Sequence, residues 1–385
     1  MIQELDEAYI AHTYARFPVT LVSGKGARLY DDKGKEYIDM GAGIAVNTFG
    51  AADGAFIEAV TAQLHRLQHA SNLYYTEPCA RLAEALCRRT GMKRVFFSNS
   101  GAEANECAIK AARKAAFMKY GDEAHATIIT LKNSFHGRTI TTLSATGQDA
   151  FHTAFGPFTE GFVYADPEKP ETLEALAAAG QCCAVMFELI QGEGGVNPLS
   201  AAFVEQIQNV CRQYGMLMIV DEVQTGNGRT GSLYCYEQYG LTPDIVTTAK
   251  GLGGGLPIGA TLFGPAAMSV YGPGDHGSTF GGNPVCCAGA LSVLERLDDQ
   301  LLQEVKRKGA LLKHRLEQAP GVENVTGMGL MLGFETKHPA KETAARCLEN
   351  GVLVLTAKNK IRLVPPLIIS EQEINTALDR IFETL

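Results

Sequence analysis

The run RVFFSNSGAEANECAIKAARKAAFMKY, residues 94–120, decides the fold class of this chain. Its first four residues predict a short buried strand. AEANECAIKAARKAAFMKY (102–120) predicts a helix that ends at Gly121, a residue type common just past a helix. A buried strand that turns directly into a long helix is typical of a parallel sheet with right-handed crossovers.

The same alternation continues along the chain. An amphipathic helix is predicted over 201–214, with Ser200 as its N-cap and Gly215 as its stop. Further fully apolar strands are predicted at ATIITL (126–131), CAVMFELI (183–190), MLMIV (216–220) and DIVTTA (244–249). Such strands indicate a sheet covered on both faces. We therefore predict a doubly wound, mostly parallel α/β domain whose ligand lies beyond the carboxyl ends of the strands.

The sequence predicts a different kind of structure for the two ends of the chain than for its middle. The C-terminal part reads as a small α+β lobe, with strands at 329–335 and 352–356 and a helix at about 340–350, joined to the sheet domain by one long helix from about 282 to 318. Ser370 and Glu373 form a capping box for a last helix, and two strands flank residues 31–34. The predicted units are an N-terminal segment (1–45), a large domain (46–290) and the linking helix with the small domain (291–385).

The composition excludes several classes of protein. The 385 residues carry a net charge of −8, which argues against a nucleic-acid binder that neutralises phosphates. No apolar run approaches the roughly 18 residues of a membrane span, and the acidic start MIQELDEAYI predicts no secretory signal. The ten cysteines form no CxxC pair and the histidines no HExxH, so we expect neither a metal site nor a disulfide scaffold, but a cytoplasmic protein.

Glycine is unusually frequent in this sequence. It accounts for 41 residues, and 20 of these lie between positions 192 and 289, which predicts loops where the backbone turns sharply or approaches a ligand. Two GxGxxG strings occur, at 226–231 and 272–277. Neither stands directly between a first strand and its helix, so we do not interpret either as a dinucleotide fingerprint.

Three short segments at predicted strand ends carry possible chemistry. Ser100-Gly101-Ala102 opens a helix and either binds a phosphate or is an ordinary capped helix start. Asp221-Glu222 follows MLMIV, where a carboxylate could hold a protonated ring nitrogen or cap a loop. Lys250 follows DIVTTA and is costly there unless it is paired, is used covalently as a Schiff base, or extends from a loop to solvent.

Other charged and aromatic residues complete the pattern. Phe135, after the strand 126–131, could stack on a ring, and Arg138 could clamp a carboxylate. Glu193 and Arg362 are a further pair of opposite charges. An anion-binding helix start, an aromatic residue, an acid, a lysine and arginines at the ends of one parallel sheet together match pyridoxal 5'-phosphate, a phosphorylated aromatic aldehyde.

Six motifs then point to a family. They are FFSNSGAEANECAIKAAR, FHGRT, ELIQGEGGV, IVDEVQTGNGRTG, AKGLGGGLPIGA and GSTFGGNP. With them the chain resembles the class III, subgroup II, pyridoxal-phosphate aminotransferases of fold type I, from about residue 14 to its C-terminus. This resemblance implies a large doubly wound domain and a small α+β domain.

The resemblance also implies roles at the cofactor. Lys250 would hold the cofactor covalently and move the proton during transfer, and Asp221 would pair with the ring nitrogen. Val223 and Phe135 would pack on the two faces of the ring. Thr279 would reach the phosphate from the partner subunit, which makes a homodimer with shared sites necessary. The implied cofactor-binding residues are Ser100, Gly101, Ala102, Phe135, Asp221, Glu222, Val223, Gln224, Lys250 and Thr279.

The implied reaction passes the terminal amine of N2-acetylornithine to 2-oxoglutarate, giving glutamate, in arginine biosynthesis. Arg138 would hold the distant substrate carboxylate and Arg362 the α-carboxylate of glutamate, while Glu193 would neutralise Arg362 when acetylornithine is bound. Ser278 would lie near the substrate. The alternative donors are succinylornithine, ornithine and 4-aminobutyrate.

The sequence departs from the family pattern in three places. Residues 47–55 read NTFGAADGA where the family has a histidine-rich segment at the entry to the site. Leu189 replaces a usual proline, and Thr326 replaces a common arginine. None of these positions is an implied cofactor ligand.

Overall fold

The computed structural model describes residues 2–385. The helices are α1 (Ile2–Tyr9), α2 (Ala42–Ala45), α3 (Gly54–Arg66), α4 (Glu77–Thr90), α5 (Gly101–Tyr120), α6 (Ile140–Ala145), α7 (Glu171–Ala178), α8 (Ala201–Tyr214), α9 (Pro284–Glu295), α10 (Asp299–Glu317), α11 (Ala340–Glu349) and α12 (Glu371–Phe382). The strands are β1 (Leu21–Lys25), β2 (Arg28–Asp31), β3 (Glu36–Asp39), β4 (Arg94–Ser98), β5 (Thr127–Leu131), β6 (Phe162–Ala165), β7 (Cys182–Phe187), β8 (Ile190–Gln191), β9 (Asn197–Pro198), β10 (Leu217–Asp221), β11 (Ile245–Thr248), β12 (Gly259–Phe263), β13 (Val322–Met328), β14 (Met331–Thr336), β15 (Val352–Leu353), β16 (Leu355–Ala357) and β17 (Lys360–Leu363).

The predicted parallel sheet is present and has seven strands in the order β4-β12-β11-β10-β7-β5-β6. Only β12 runs against its neighbours, so the sheet is mostly parallel. The chain crosses from β4 at one edge to β5 and β6 at the other, and then reverses direction through β7, β10, β11 and β12, as in a doubly wound fold. The α/β fold class predicted from the sequence is confirmed.

The strands are apolar because both faces of the sheet are covered. Alternate residues of a strand point to opposite faces, and Ile219 packs in one buried cluster with helix α5 while Val220 packs in the other with helix α8. Predicted helix ends are also confirmed: Ser100 caps α5, Ser200 caps α8, and Gly121 adopts the left-handed conformation that ends α5.

Two smaller sheets flank the central one. Strands β1, β2 and β3 form the predicted N-terminal antiparallel unit, and β3 pairs in parallel with β15. Strands β13, β14, β17 and β16 form a second sheet in that order. The predicted strand 352–356 is therefore two short strands, separated at Val354, that pair in different sheets. The domain boundaries given above stay a prediction.

The long helix predicted from 282 to 318 is wrong in one respect, because the chain forms two helices there. Helix α9 ends at Glu295, and α10 begins after Asp298, whose carboxylate accepts a hydrogen bond from the backbone N–H of Leu301 at 2.8 Å. Leu297 between them is fully buried. A side chain that caps a new helix and an apolar residue that must turn inward explain the break.

Candidate active site

The site is a cavity of about 640 Å³ at the carboxyl ends of the central strands. Asp221 is the last residue of β10, and Lys250 follows β11, which pairs with β10 in parallel. The start of α5 forms another wall. Chain topology therefore brings together the acid, the lysine and the helix start that the sequence singled out. The lining residues among the predicted ones are Ser100, Gly101, Ala102, Phe135, Arg138, Asp221, Val223, Gln224 and Lys250.

Asp221 is held rigidly at the bottom of this cavity. One carboxylate oxygen accepts hydrogen bonds from Asn105 Nδ2 and His136 Nδ1, each at 2.8 Å, and the other accepts from the backbone N–H of Val223 at 3.0 Å. The side chain is almost entirely buried. Because a carboxylate only accepts, the His136 ring carries its proton on Nδ1. Such support keeps a negative charge fixed in one direction.

Asn105 and His136 were not given roles from the sequence. His136 belongs to the motif FHGRT and Asn105 to the helix after Ser100, but no local pattern shows that both side chains turn to Asp221. Glu188 was missed in the same way. Its carboxylate accepts hydrogen bonds from the backbone N–H groups of Phe135 (2.8 Å) and Gly192 (3.1 Å), and burial raises its pKa to about 7.

Lys250 lines the cavity and its ammonium group is poorly solvated. Burial lowers the pKa of Lys250, although the negative charges of Glu193 and Asp221 act against that shift. The residue also has a positive φ of 41°, a conformation that side chains other than glycine adopt at a cost of about 1–3 kcal/mol. An amine with a lowered pKa at a strained position is typical of a residue used in chemistry.

The helix start has the geometry of an anion site. Ser100 Oγ accepts a hydrogen bond from the backbone N–H of Glu103, and the N–H groups of the first helical residues have no partner within a helix. Gly101 allows a close approach: a Cβ there would lie 2.7 Å from Val223 Cγ1. Phe135 lines the same cavity.

A second group of charges lies beside Gln224. Arg362, from β17, is 3 % exposed and donates through Nη1 to Glu193 Oε1 at 2.5 Å and to Gln224 Oε1 at 3.0 Å. Burial acts to raise the pKa of Glu193, but the charge and hydrogen bond of Arg362 outweigh it and lower that pKa. The predicted pair of Glu193 and Arg362 is therefore an ion pair in the structure.

Arg138 lies at the exposed side of the cavity. Its guanidinium is 5.5 Å from the ring centroid of Phe135 and 4.3 Å from that of Phe151. The two predicted carboxylate-binding arginines thus differ, because Arg362 is buried and paired whereas Arg138 is exposed and held by aromatic rings.

Three predicted residues lie elsewhere. Glu222 does not line the cavity: its carboxylate accepts hydrogen bonds from the backbone N–H of Tyr236 (2.7 Å) and from Thr225 Oγ1 (2.6 Å), and its expected cofactor contact stays a prediction. The adjacent carboxylates of one strand end face opposite sides. Ser278 accepts a hydrogen bond from Asn99, a cavity residue, and Thr279 is exposed.

The fold and this cavity define a class of enzyme, and comparison with known proteins agrees. The family model for class III aminotransferases matches residues 9–385, and the chain belongs to that family. These enzymes depend on pyridoxal 5'-phosphate, so the chain is a pyridoxal-phosphate-dependent aminotransferase. The resemblance drawn from the motifs is confirmed.

Particular relatives are similar over their whole length. The acetylornithine aminotransferase of Haemophilus ducreyi is 50% identical, with 100% of this chain and 98% of that protein covered. The enzyme of that name from Bacillus subtilis is 43% identical, with 97% and 96% covered. Among solved structures, the ornithine aminotransferase of Toxoplasma gondii has a TM-score of 0.95 at 34% identity, with 100% and 94% covered. The N-acetylornithine aminotransferase of Stenotrophomonas maltophilia has a TM-score of 0.85 at 35% identity, with 99% and 97% covered.

The residues of the cavity fit the cofactor of this class. A buried amine, a fixed carboxylate and a helix start match its aldehyde, ring nitrogen and phosphate in chemical type. Within residues 2–385, no helix is both long and apolar enough to cross a membrane.

Proposed function

We propose that this chain is an acetylornithine:2-oxoglutarate aminotransferase, which moves the terminal amine of N2-acetylornithine to 2-oxoglutarate in arginine biosynthesis. The observation that carries the proposal is the buried ion pair of Arg362 with Glu193 beside the cavity. The names of the full-length relatives support the same substrate.

We call the part of the cavity around Asp221, Lys250 and the start of α5 the rigid end. Its residues would carry the steps of the reaction that involve the cofactor. When bound, pyridoxal phosphate supplies an aldehyde that takes up the amine and a ring that withdraws electrons. Asp221 would keep the ring nitrogen protonated, because its carboxylate is fixed and charged. The N–H groups of Gly101 and Ala102 would hold the phosphate, and Val223 and Phe135 would cover the ring faces. Lys250 would carry the cofactor and return a proton to the reacting carbon.

The two arginines would bind the carboxylates of the substrates. We call the part of the site around Arg362 and Glu193 the adjustable end. Arg138 would bind the carboxylate far from the reacting amine. Acetylornithine brings no second carboxylate, so Arg362 would stay paired with Glu193. Glutamate and 2-oxoglutarate bring an α-carboxylate, which would replace Glu193 on Arg362. Either way, the buried guanidinium keeps a negative partner, and leaving it without one would be costly.

Gln224 connects the two halves. Its Oε1 accepts from Arg362, which leaves its amide nitrogen as the donor for the phenolic oxygen of the cofactor ring. Arg362, which would distinguish the two substrates, would therefore also orient Gln224 at the cofactor ring.

The active protein is proposed to be a cytoplasmic homodimer with shared sites. Thr279 is exposed, and next to it Phe280 is 59 % exposed. Asn72 Nδ2 donates to the carbonyl oxygens of Ser278 and Gly281, which brings the nearly fully exposed Leu73 and Tyr75 close to the same surface. A contiguous apolar surface of this kind indicates a protein contact. Light scattering on the purified protein should give twice the chain mass; a monomer with full activity would contradict the shared site.

Steady-state rates on a panel of amine donors test the substrate. We expect kcat/KM for acetylornithine to exceed those for ornithine and 4-aminobutyrate by at least about tenfold, or about 1.4 kcal/mol. All three donors have one carboxylate for Arg138, but ornithine has a charged α-ammonium in place of the neutral acetamide, and 4-aminobutyrate lacks that group and is one carbon shorter. A clear preference for ornithine or 4-aminobutyrate would overturn the proposal. Succinylornithine in the same panel tests how large an acyl group the pocket accepts.

A further inference from the structure

The segment that carries Glu193 rests on one face of the small sheet. We define the Glu193 loop as residues 192–198. Lys360 and Arg362 are two residues apart on β17, so their side chains lie on the same face of the strand. Both reach this loop: Arg362 contacts Glu193, and Lys360 contacts Asn197.

Lys360 is part of a small hydrogen-bonded cluster. Its Nζ donates to Thr326 Oγ1 at 2.7 Å and to Asn197 Oδ1 at 3.3 Å. Thr326 Oγ1 in turn donates to the backbone carbonyl of Val196 at 2.7 Å, and Asn197 Nδ2 donates to the carbonyl of Gly194 at 3.0 Å. These bonds tie the distal half of the Glu193 loop to strands β13 and β17.

The loop lies tightly against this sheet. In the register of the strands, Thr326 stands opposite Gly333, and Gly333 opposite Arg362. A Cβ at Gly333 would be 2.8 Å from Val196 Cβ, so only glycine permits the contact. Val196 is fully buried and has a positive φ of 55°, a conformation that must be held by its surroundings.

Lys360 also occupies an unusual position for a charge. The side chain is 6 % exposed, and the proposed reaction gives it no task. Burying an ammonium is costly unless it is hydrogen-bonded, and Thr326 and Asn197 accept its bonds. Thr326, on β13, stands where the family pattern has an arginine, and the cation at this point of the sheet comes instead from β17, on the other side of β14.

We propose that Lys360 and Thr326 are positioning residues that hold the Glu193 loop on the small sheet and thereby set the balance between the two half-reactions. The proposal rests on the exchange of carboxylates at Arg362 described under Proposed function. With the cluster intact, Glu193 is presented to Arg362 and competes with an incoming α-carboxylate. Loosening the loop reduces that competition, so dicarboxylates bind more tightly.

Binding of glutarate to the holoenzyme tests this directly. Glutarate has two carboxylates and no amine, so its affinity does not depend on which amine donor the enzyme uses. Lys360→Met keeps the apolar stem and removes the charge, and Thr326→Val keeps the shape and removes the hydroxyl. Lys337→Met, at an exposed lysine next to β14, is the matched control. By calorimetry, we expect the dissociation constant to fall about three- to tenfold in the first two variants and to be unchanged in the control.

Hydrogen exchange of the amides of residues 192–197 provides a second readout. We expect faster exchange there in Lys360→Met and Thr326→Val, with the amides near Asp221 unchanged. Unchanged glutarate affinity in both variants would overturn the proposal, and so would weaker binding. Even if one variant failed to fold, the other would give the same test.

Kinetics separate this proposal from the proposed function. In both variants, we expect kcat/KM for acetylornithine relative to that for glutamate to fall about three- to tenfold. An equal loss on both substrates would indicate a merely structural role and would overturn the proposal. If the wild-type enzyme preferred another donor, the proposed substrate would fail, while tighter glutarate binding by the variants would still support the positioning role.

Discussion

The cofactor end and the carboxylate end of the cavity are built differently. Asp221 is fixed by three hydrogen bonds from Asn105, His136 and the backbone of Val223. Arg362 comes from the small sheet and contacts two separate segments: it forms an ion pair with Glu193, between β8 and β9, and donates to the amide oxygen of Gln224, after β10. Under the proposed function, Asp221 would keep its arrangement, whereas Arg362 would exchange the carboxylate of Glu193 for that of a substrate.

The difference between the surroundings of Asp221 and those of Arg362 follows from electrostatics. Removing the Asp221 charge would leave donors without an acceptor in a buried region, which is expensive. Replacing Glu193 by a substrate carboxylate leaves Arg362 paired throughout, so the two states can be close in free energy. Under the proposed function, the residues around Asp221 would carry the chemistry, and the pair of Arg362 and Glu193 would determine the choice of substrate.

The largest expected effect is at the rigid end. Lys250→Ala should lower turnover at least about 10⁴-fold, because it removes both the covalent attachment of the cofactor and the group that moves the proton. Half-reaction rates with acetylornithine and with glutamate should fall together. Lys337→Ala, at an exposed lysine, is the control and should retain full activity. Substantial turnover by Lys250→Ala would exclude the role given to this residue.

Asp221→Asn should have the next largest effect, about a 10³-fold loss in kcat in both half-reactions. The amide has nearly the same shape but no charge, and it can no longer accept from all three donors. The effect should appear in kcat more than in KM, because the carboxylate acts on the ring and not on the substrate. If Asp221→Asn changed only the KM for one substrate, the proposed division between the rigid end and the adjustable end would be wrong.

The pH dependence of cofactor uptake tests the burial of Lys250. Only the neutral amine attacks an aldehyde, and burial lowers the pKa of this group below its ordinary value of 10.5. A lowered pKa means that the neutral form is populated at a lower pH than in an exposed lysine. Stopped-flow absorbance of cofactor attachment to the apoprotein, between about pH 6 and 10, should show a rate that levels off below pH 10.5. A rate still rising steeply at the top of that range would contradict the burial.

The sequence was sufficient for the fold and for most of the predicted residues that line the cavity around Asp221. Apolar strands followed by Asp221 and by Lys250 define a parallel sheet and its ligand side, because strand ends in such a sheet meet at one edge. Local patterns also located the helix start at Ser100. The kink between α9 and α10 was missed, since the helical periodicity continues on both sides of Leu297.

The supporting residues could not be found in this way. Asn105 and His136 meet at Asp221 from separate segments, and no spacing in the sequence encodes that contact. The placement of Glu222 could not be predicted either: it follows Asp221 directly, but its carboxylate bonds to Thr225 and to the backbone of Tyr236, and the residue does not line the cavity. The contacts of Lys360 likewise depend on how the Glu193 loop lies on a distant sheet.

The glutamate half-reaction of Glu193→Gln tests the exchange of carboxylates most directly. The amide keeps the size of the side chain but loses the charge that competes for Arg362. We predict that glutamate binds about tenfold more tightly and that kcat/KM for acetylornithine falls, because the guanidinium then has no anionic partner when that substrate is bound. Unchanged glutamate affinity, together with unchanged acetylornithine kinetics, would contradict the account of the adjustable end.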